Sequence, residues 1–276
     1  MAAIYEPKGM AREYAPLACN LYKGCLHGCK YCYAPACLRM QPEQFWSTSN
    51  LRADVLSSLE REARKHAASR LPVLFCFTSD PYQPNETGDT RTALQMMIRA
   101  GCQFQVLTKG GTRAVRDLDC FQAKTLRGEE HRGPCAFGTT LLFTNDADRA
   151  EWEPNAAPVE DRIEAIKTFH AAGIRTWVSI EPVIDPTQAV NIVETLSPWV
   201  DEWRVGKLNH HKHAKTVDWH DFAANVIRAL EDSGRDFMVK DALQPFLPQG
   251  APVRRYATEQ ISEHARETER QLSLLA

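Results

Sequence analysis

Six short runs rich in β-branched and aromatic residues alternate along this chain with longer segments whose apolar residues recur at three- and four-residue spacing. That alternation is the mark of βα units around a parallel sheet and leaves few other architectures open. Strands are expected at 17–22, 73–78, 103–108, 136–141, 175–180 and 202–206, and the clearest helices at 51–68 and 159–172. With 276 residues the chain is long enough for one large α/β barrel that buries a core without disulfides. Residues 1–207 read as the barrel with a short lead-in. From Leu208 the alternation fades, so residues 208–276 are expected to form a C-terminal extension packed on the same domain.

Charge is almost balanced, 33 Lys and Arg against 35 Asp and Glu, which excludes a chain-wide basic field and confines any polyanion contact to a local patch. No apolar run reaches the length of a signal sequence or of the roughly 20 residues that span a bilayer, so a cytoplasmic protein that makes no membrane contact is expected. Nine cysteines, an odd number, suit free thiols and metal ligands in a reducing compartment better than a disulfide framework.

Three of them stand together behind the first strand, as Cys25-x3-Cys29-x2-Cys32 in NLYKGCLHGCKYCYAP. Gly24 and Gly28 beside them let backbone amides come close to sulfur. Three thiolates on a four-iron cluster leave one iron without a protein ligand, as catalytic metal sites keep one coordination position open. A structural zinc site is the alternative, with His27, Cys19 or Cys37 as its fourth ligand; plain core cysteines are another.

CxxxCxxC after the first strand of a βα series resembles the radical S-adenosylmethionine (SAM) superfamily, closest to its spore photoproduct lyase-like, or SplB-type, branch. The resemblance covers about residues 17 to 207. Further segments carry it: the aromatic pair in CKYCY, TSDPYQPNE, LTKG, WEP followed by EDRIEAI, and SIEPV. It implies a partial (β/α)6 barrel, a [4Fe-4S] cluster on Cys25, Cys29 and Cys32, SAM as cofactor, and an electron donor such as flavodoxin or ferredoxin. The implied chemistry is reductive cleavage of SAM to a 5′-deoxyadenosyl radical that abstracts hydrogen from substrate, a one-electron step that the cofactor supplies. By the same resemblance Ser79 and Asp80 meet the SAM amino group and Lys109 its carboxylate. Thr140 and Glu181 then lie near its ribose or adenine, and Tyr31 and Tyr33 serve SAM binding and radical return.

Read from the residues alone, Asp80-Pro81 and Gln83-Pro84 also make a stiff turn, Lys109 a solvated lysine, and the two tyrosines packing aromatics. Glu181, if buried, needs a partner, for which a ribose hydroxyl, Lys109 or Arg162 is available. The chain departs from the lyases at Phe77, which stands where they carry a hydrogen-donating cysteine; Cys76 is one position off and on a regular strand points the other way.

RVGKLNHHKHAK gathers Arg204, Lys207, His210, His211, Lys212, His213 and Lys215 behind the sixth strand. It reads either as a solvated loop or as a phosphate contact, with Trp203 or Trp219 available for base stacking. A metal site from the histidines is a weaker alternative. The expected substrate is therefore a nucleic-acid component or other phosphate-bearing molecule; the alternatives are a peptide or protein substrate, or a zinc-bound nucleic-acid-binding module without catalysis.

Overall fold

The computed structural model describes residues 2–69, 71–123, 135–209 and 211–255. In chain order the elements are β1 (Ile4–Tyr5), β2 (Leu17–Cys19), β3 (Tyr22–Lys23), α1 (Ala34–Cys37), α2 (Pro42–Trp46), β4 (Asn50–Leu51), α3 (Val55–His66), β5 (Val73–Phe75), α4 (Asp89–Ala100), β6 (Phe104–Thr108), α5 (Leu118–Gln122), β7 (Ala136–Thr140), α6 (Asp146–Trp152), α7 (Val159–Ala171), β8 (Arg175–Ile180), α8 (Pro186–Leu196), β9 (Glu202–Val205), α9 (Trp219–Asp232), β10 (Asp236–Val239) and β11 (Arg254–Arg255), joined in places by 3-10 turns. One sheet has the order β1-β2-β5-β6-β7-β8-β9-β10-β11. Strands β2 and β5 to β10 are parallel, and β1 and β11 close the two edges antiparallel. Among the described residues the two ends of the sheet do not pair, so the barrel is partial; β3 and β4 form a separate ribbon.

The expected α/β barrel is present, with two differences. The run at 73–78 stops at Phe75, and the run at 17–22 stops at Cys19. Asn20 ends both: its Oδ1 accepts the backbone N–H groups of Phe77 (2.8 Å) and Thr78 (3.0 Å), which a continuing ladder would otherwise use. The alternation also does not stop at Leu208. Helix α9, capped by Asp218 on the N–H groups of His220 and Asp221, leads into β10, which pairs parallel with β9 as a seventh strand. Four residues opening on Asp236 give too little β-pattern to be read as a strand without the partner beside them. Residues 256–276 of the expected extension, and His210, lie outside the described residues.

Period-two alternation divides the strands between two faces. Phe75, Phe137, Val178, Trp203 and Val205 face the helices and join the main core with Leu94, Phe169, Val193 and Phe222. Leu74, Ala136 and Trp177 form a second, smaller cluster that Tyr14, Phe77 and Leu107 pack against. The Arg204 guanidinium lies 4.0 Å above the Trp177 ring, and its nitrogens reach Glu202 (2.6 Å) and the Tyr14 carbonyl (2.9 Å). Among the described residues no helix is long and apolar enough to cross a membrane.

Glu202 sits between Arg204 and Arg175, each 2.6 Å away. Burial acts to raise its carboxyl pKa, but the two guanidinium groups outweigh burial and hold it at about 2 against an ordinary 4.5. A depressed carboxyl stabilises the fold above its unfolded value, and that contribution is lost as pH falls towards its folded value. The difference in unfolding free energy between wild type and Glu202→Gln is therefore expected to narrow as pH drops from about 4.5 towards about 2. Denaturant unfolding at stepped pH measures it, and a constant difference would show that Glu202 does not titrate in that window.

Candidate metal centre

Cys25, Cys29 and Cys32 lie on the loop between β3 and α1, and neighbouring segments hold that loop through its backbone. Leu26 donates its N–H to Gln83 Oε1 (2.8 Å) and its carbonyl accepts from Asn155 Nδ2 (2.9 Å). The Asn155 N–H reaches the His27 carbonyl (3.1 Å), Lys30 N–H the Trp152 carbonyl (2.9 Å), and Cys25 N–H the Phe45 carbonyl (3.0 Å). Gly24 has φ +89°, and a Cβ there would stand 2.2 Å from the Thr48 carbonyl oxygen, so only glycine lets the chain enter the loop on this path.

Beneath the loop, buried Asp80 ties two strand ends together. Its Oδ1 accepts from Tyr82 N–H (2.8 Å) and Thr108 Oγ1 (2.6 Å), and its Oδ2 from Lys109 N–H (2.7 Å). His27 Nδ1 lies 3.5 Å from the same Oδ2, and its Nε2 is 3.4 Å from Arg113. Burial pushes the His27 pKa down to about 4 although Asp80 pulls it up, which keeps the ring neutral at neutral pH. Both carboxylate oxygens of Asp80 thus have partners inside the protein. Its neighbour Ser79 differs: the buried hydroxyl has no nitrogen or oxygen partner, only the Cys76 thiol beside it.

Glu153 of the WEP segment is fully buried, 2.6 Å from Arg162 and in a short hydrogen bond from the Tyr31 hydroxyl. Burial acts to raise its carboxyl pKa, but Arg162 and Lys109 outweigh that and hold it below the ordinary carboxylate range. Burial likewise acts to lower Lys109, yet Cys29 and Glu153 keep it above its usual value. The Lys109 ammonium lies 5.7 Å from the Tyr31 ring centre. Arg162 also donates to the carbonyls of Ala157 (2.8 Å) and Thr140 (3.0 Å), so helix α7 is pinned to the end of β7.

Tyr31, Lys109 and Thr140 are therefore linked through Glu153 and Arg162. Tyr33 stands apart, half exposed, its hydroxyl donating to the Phe77 carbonyl (3.0 Å). Glu181 is partnered neither by Lys109 nor by Arg162: its Oε2 accepts from Lys240 Nζ (2.9 Å) and the Tyr14 hydroxyl (2.5 Å). Lys240 follows the seventh strand, which the sequence pattern does not reveal, and so it goes unnoticed until the chain is folded. Glu153 lies within the WEP segment, but no pattern along the chain gives it a role.

The donor set fits an iron–sulfur cluster. It comprises three soft thiols on a loop whose backbone is already held, with the unsatisfied Ser79 hydroxyl and Gln83 amide nitrogen nearby on the next strand's loop. Among the described residues no three His, Cys, Asp or Glu gather as a single ion requires, and His27, the nearest offered fourth ligand, faces Asp80 and Arg113. A cubane takes one iron per thiolate and so needs its three cysteines farther apart than one zinc ion does. Burial raises all three thiols, Cys29 to about 12, so ligation must displace their protons. Cys19 is sealed in β2 and Cys37 is exposed at the end of α1.

The cationic run disperses in three dimensions. Arg204 is buried in the sheet, Trp203 is fully buried and Trp219 nearly so, which removes both indoles from base stacking. Lys207 lies over the rings of Phe246 (4.7 Å) and Trp219 (5.4 Å). Lys212 and Lys215 remain exposed on a 3-10 turn. His213 on that turn lines a cavity of about 410 Å³ with Phe143, Trp152 and Ile184 and with four carboxylates, Asp148, Asp185, Asp218 and Asp221. Its walls come from the loops and first helical turns that follow β7, β8 and β9 and from Trp152 at the end of α6, on the strand-end side of the sheet that also carries Lys109 and Glu181.

No family model matches the chain. It is similar to an uncharacterised protein of Methanocaldococcus jannaschii, 27% identical over 167 residues, 60% of this chain and 59% of that protein. A second likeness is to an uncharacterised protein of Mycobacterium tuberculosis, 26% identical over 174 residues, 60% of this chain and 48% of that protein. Both matches span less than two thirds of the relative's own length. Among solved structures, a variant of spore photoproduct lyase superposes with a TM-score of 0.56 at 15% identity, covering 97% of this chain and 76% of that one. A further variant of the same lyase, with bound AdoMet and dinucleoside spore photoproduct, gives 0.56 at 16%, with the same coverage. Streptococcus suis SuiB bound to S-adenosylmethionine gives 0.60 at 11%, covering 84% of this chain and 52% of its own. These likenesses establish the fold, an open, mostly parallel α/β barrel shared with spore photoproduct lyase and SuiB.

Removing Arg162 would take away the nearest counter-charge of the buried Glu153 carboxylate and leave it the Tyr31 hydroxyl and the Lys109 charge, so Arg162→Met is expected to cost about 3 kcal/mol. Adding Glu153→Gln to it is expected to recover much of that loss, because the second change removes the uncompensated charge. A double-mutant cycle by chemical denaturation measures the coupling, and purely additive losses would show that the pair does not act as one unit.

Proposed function

From the fold it shares with spore photoproduct lyase and SuiB, we propose that this chain is a radical SAM enzyme in which Cys25, Cys29 and Cys32 hold a [4Fe-4S] cluster and the iron without a cysteine takes SAM. The observation that carries the proposal is the three-cysteine loop itself, held through its backbone by Gln83, Asn155, Trp152 and Phe45. When bound, the cluster and SAM supply a 5′-deoxyadenosyl radical that abstracts hydrogen from the substrate.

The protein's part is to bind, orient and shield. The Ser79 hydroxyl, which has only the Cys76 thiol beside it, is the group of the Ser79-Asp80 pair better able to meet the SAM ammonium, while Asp80 holds the strand ends that present it. Lys109, kept charged by its surroundings, suits the methionyl carboxylate. Thr140 and Glu181 mark the far side, towards the ribose and adenine, with Lys240 compensating the Glu181 charge. Tyr31 is the better placed of the two tyrosines for a role beside the cluster, and half-exposed Tyr33 for one facing the substrate. An electron donor such as flavodoxin or ferredoxin completes the scheme.

For the substrate we favour a nucleic-acid component or other phosphate-bearing molecule, met by exposed Lys212 and Lys215; spore photoproduct lyase, whose structure holds a dinucleoside, supports this by analogy. A peptide substrate is the second reading. The four carboxylates lining the cavity beside Trp152 favour a cationic group over phosphate, and SuiB has been seen bound to a precursor peptide.

Single Cys25→Ala, Cys29→Ala and Cys32→Ala variants are expected to remain folded yet to lose the cluster after anaerobic reconstitution, read as iron per chain and as absorbance near about 400 nm. A colourless zinc protein, or full iron content in all three variants, would reject the assignment. In the substrate test, Lys212→Ala combined with Lys215→Ala is expected to flatten the salt dependence of oligonucleotide binding by about 0.7–0.9 in log–log slope for each lysine–phosphate pair removed. If wild type shows no salt-sensitive binding to any nucleotide or oligonucleotide and instead binds a lysine-rich peptide, the second reading takes over.

A further inference from the structure

Gln83, which holds the cysteine loop through the Leu26 N–H, is 1% exposed and sits at the contact between the loop after β5 and the cysteine loop. Its amide orientation follows from chemistry: the Leu26 N–H is a donor, so the atom 2.8 Å from it must be the oxygen, Oε1. The amide nitrogen is thereby turned the other way, buried, and without a hydrogen-bond partner. A buried donor left unpaired is rare unless a missing group accepts from it.

The residue has little freedom to turn elsewhere. Tyr82 before it is fixed by its N–H on Asp80 (2.8 Å) and its hydroxyl on Asp117 (3.0 Å), and Pro84 after it restricts its backbone. Leu26, which it grips, adjoins Cys25. Ser79, four residues earlier on the same loop, is likewise buried without a nitrogen or oxygen partner.

We propose that Gln83 is a positioning residue for the cluster: its amide oxygen fixes the cysteine loop at Leu26, and its amide N–H donates to a cluster or cysteinyl sulfur. The inference rests on the proposed iron–sulfur site and adds to it a residue that tunes it. An N–H donated to sulfur spreads negative charge away from the irons and makes the cluster easier to reduce. Gln83 would then both lower the cost of loading the cluster and raise its reduction potential.

Two variants of the full chain separate these roles after anaerobic reconstitution. Gln83→Glu keeps an oxygen for Leu26 and loses the donor; Gln83→Met keeps the volume without charge and loses both. Gln83→Glu is expected to carry as much iron as wild type, with its midpoint potential, read by EPR-monitored redox titration, moved to more negative values. Gln83→Met is expected to hold iron about tenfold less tightly against a chelator, and what it retains to show a more negative midpoint as well. Unchanged potential in Gln83→Glu, or in Gln83→Met with its cluster intact, overturns the inference and leaves the enzyme assignment standing. A wild-type chain that takes up no four-iron cluster overturns both.

Discussion

Leu26 is gripped through both of its backbone polar groups, by Gln83 from the loop after β5 and by Asn155 from the loop before α7. The strand-end loops thus hold the cysteine loop through its backbone. Asp80 makes this possible from below. By accepting from Tyr82, Thr108 and Lys109 it locks the ends of β5 and β6 together, and those ends are the platform on which the loop rests. Such preorganisation matters because a free three-cysteine loop would have to lose its conformational entropy at the moment of metal binding.

A second network closes the opposite part of the sheet. Arg204 stacks on Trp177 and reaches the Tyr14 carbonyl, while the Tyr14 hydroxyl and Lys240 converge on Glu181. These residues come from the N-terminal lead-in, from β8 and β9, and from beyond β10. The stretch after Leu208 is thus part of the barrel's own electrostatics, since without Lys240 a strand-end carboxylate would face its desolvation with only a phenol beside it.

Charge is the feature in which chain order misleads most. The densest basic run in the sequence is divided among a buried ion pair, a lysine over two aromatic rings and two exposed lysines. The cavity beside it is lined instead by four aspartates: Asp185 and Asp218 accept the free N–H groups at the starts of α8 and α9, while Asp148 and Asp221 accept side-chain amides of Asn145, Gln188 and Asn225. Two of the four thus serve as helix caps, and together the four set the cavity's sign.

Local pattern along the chain suffices for the βα series, the strand at Arg175–Ile180 to the residue, the helix at Val159–Ala171 to within one residue, and the three-cysteine loop behind the first strand. Each rests on periodicity or short spacing, which a chain displays whether folded or not. Folding alone decides that Glu153 pairs with Arg162, that Glu181 is matched by Lys240 and Tyr14, that Asn20 cuts two strands short, and that β10 is a seventh parallel strand. These are meetings between residues up to 167 positions apart, governed by burial and by the need of every buried charge for a partner. No pattern along the chain records that need, because until the strands come together there is no low-dielectric interior to enforce it.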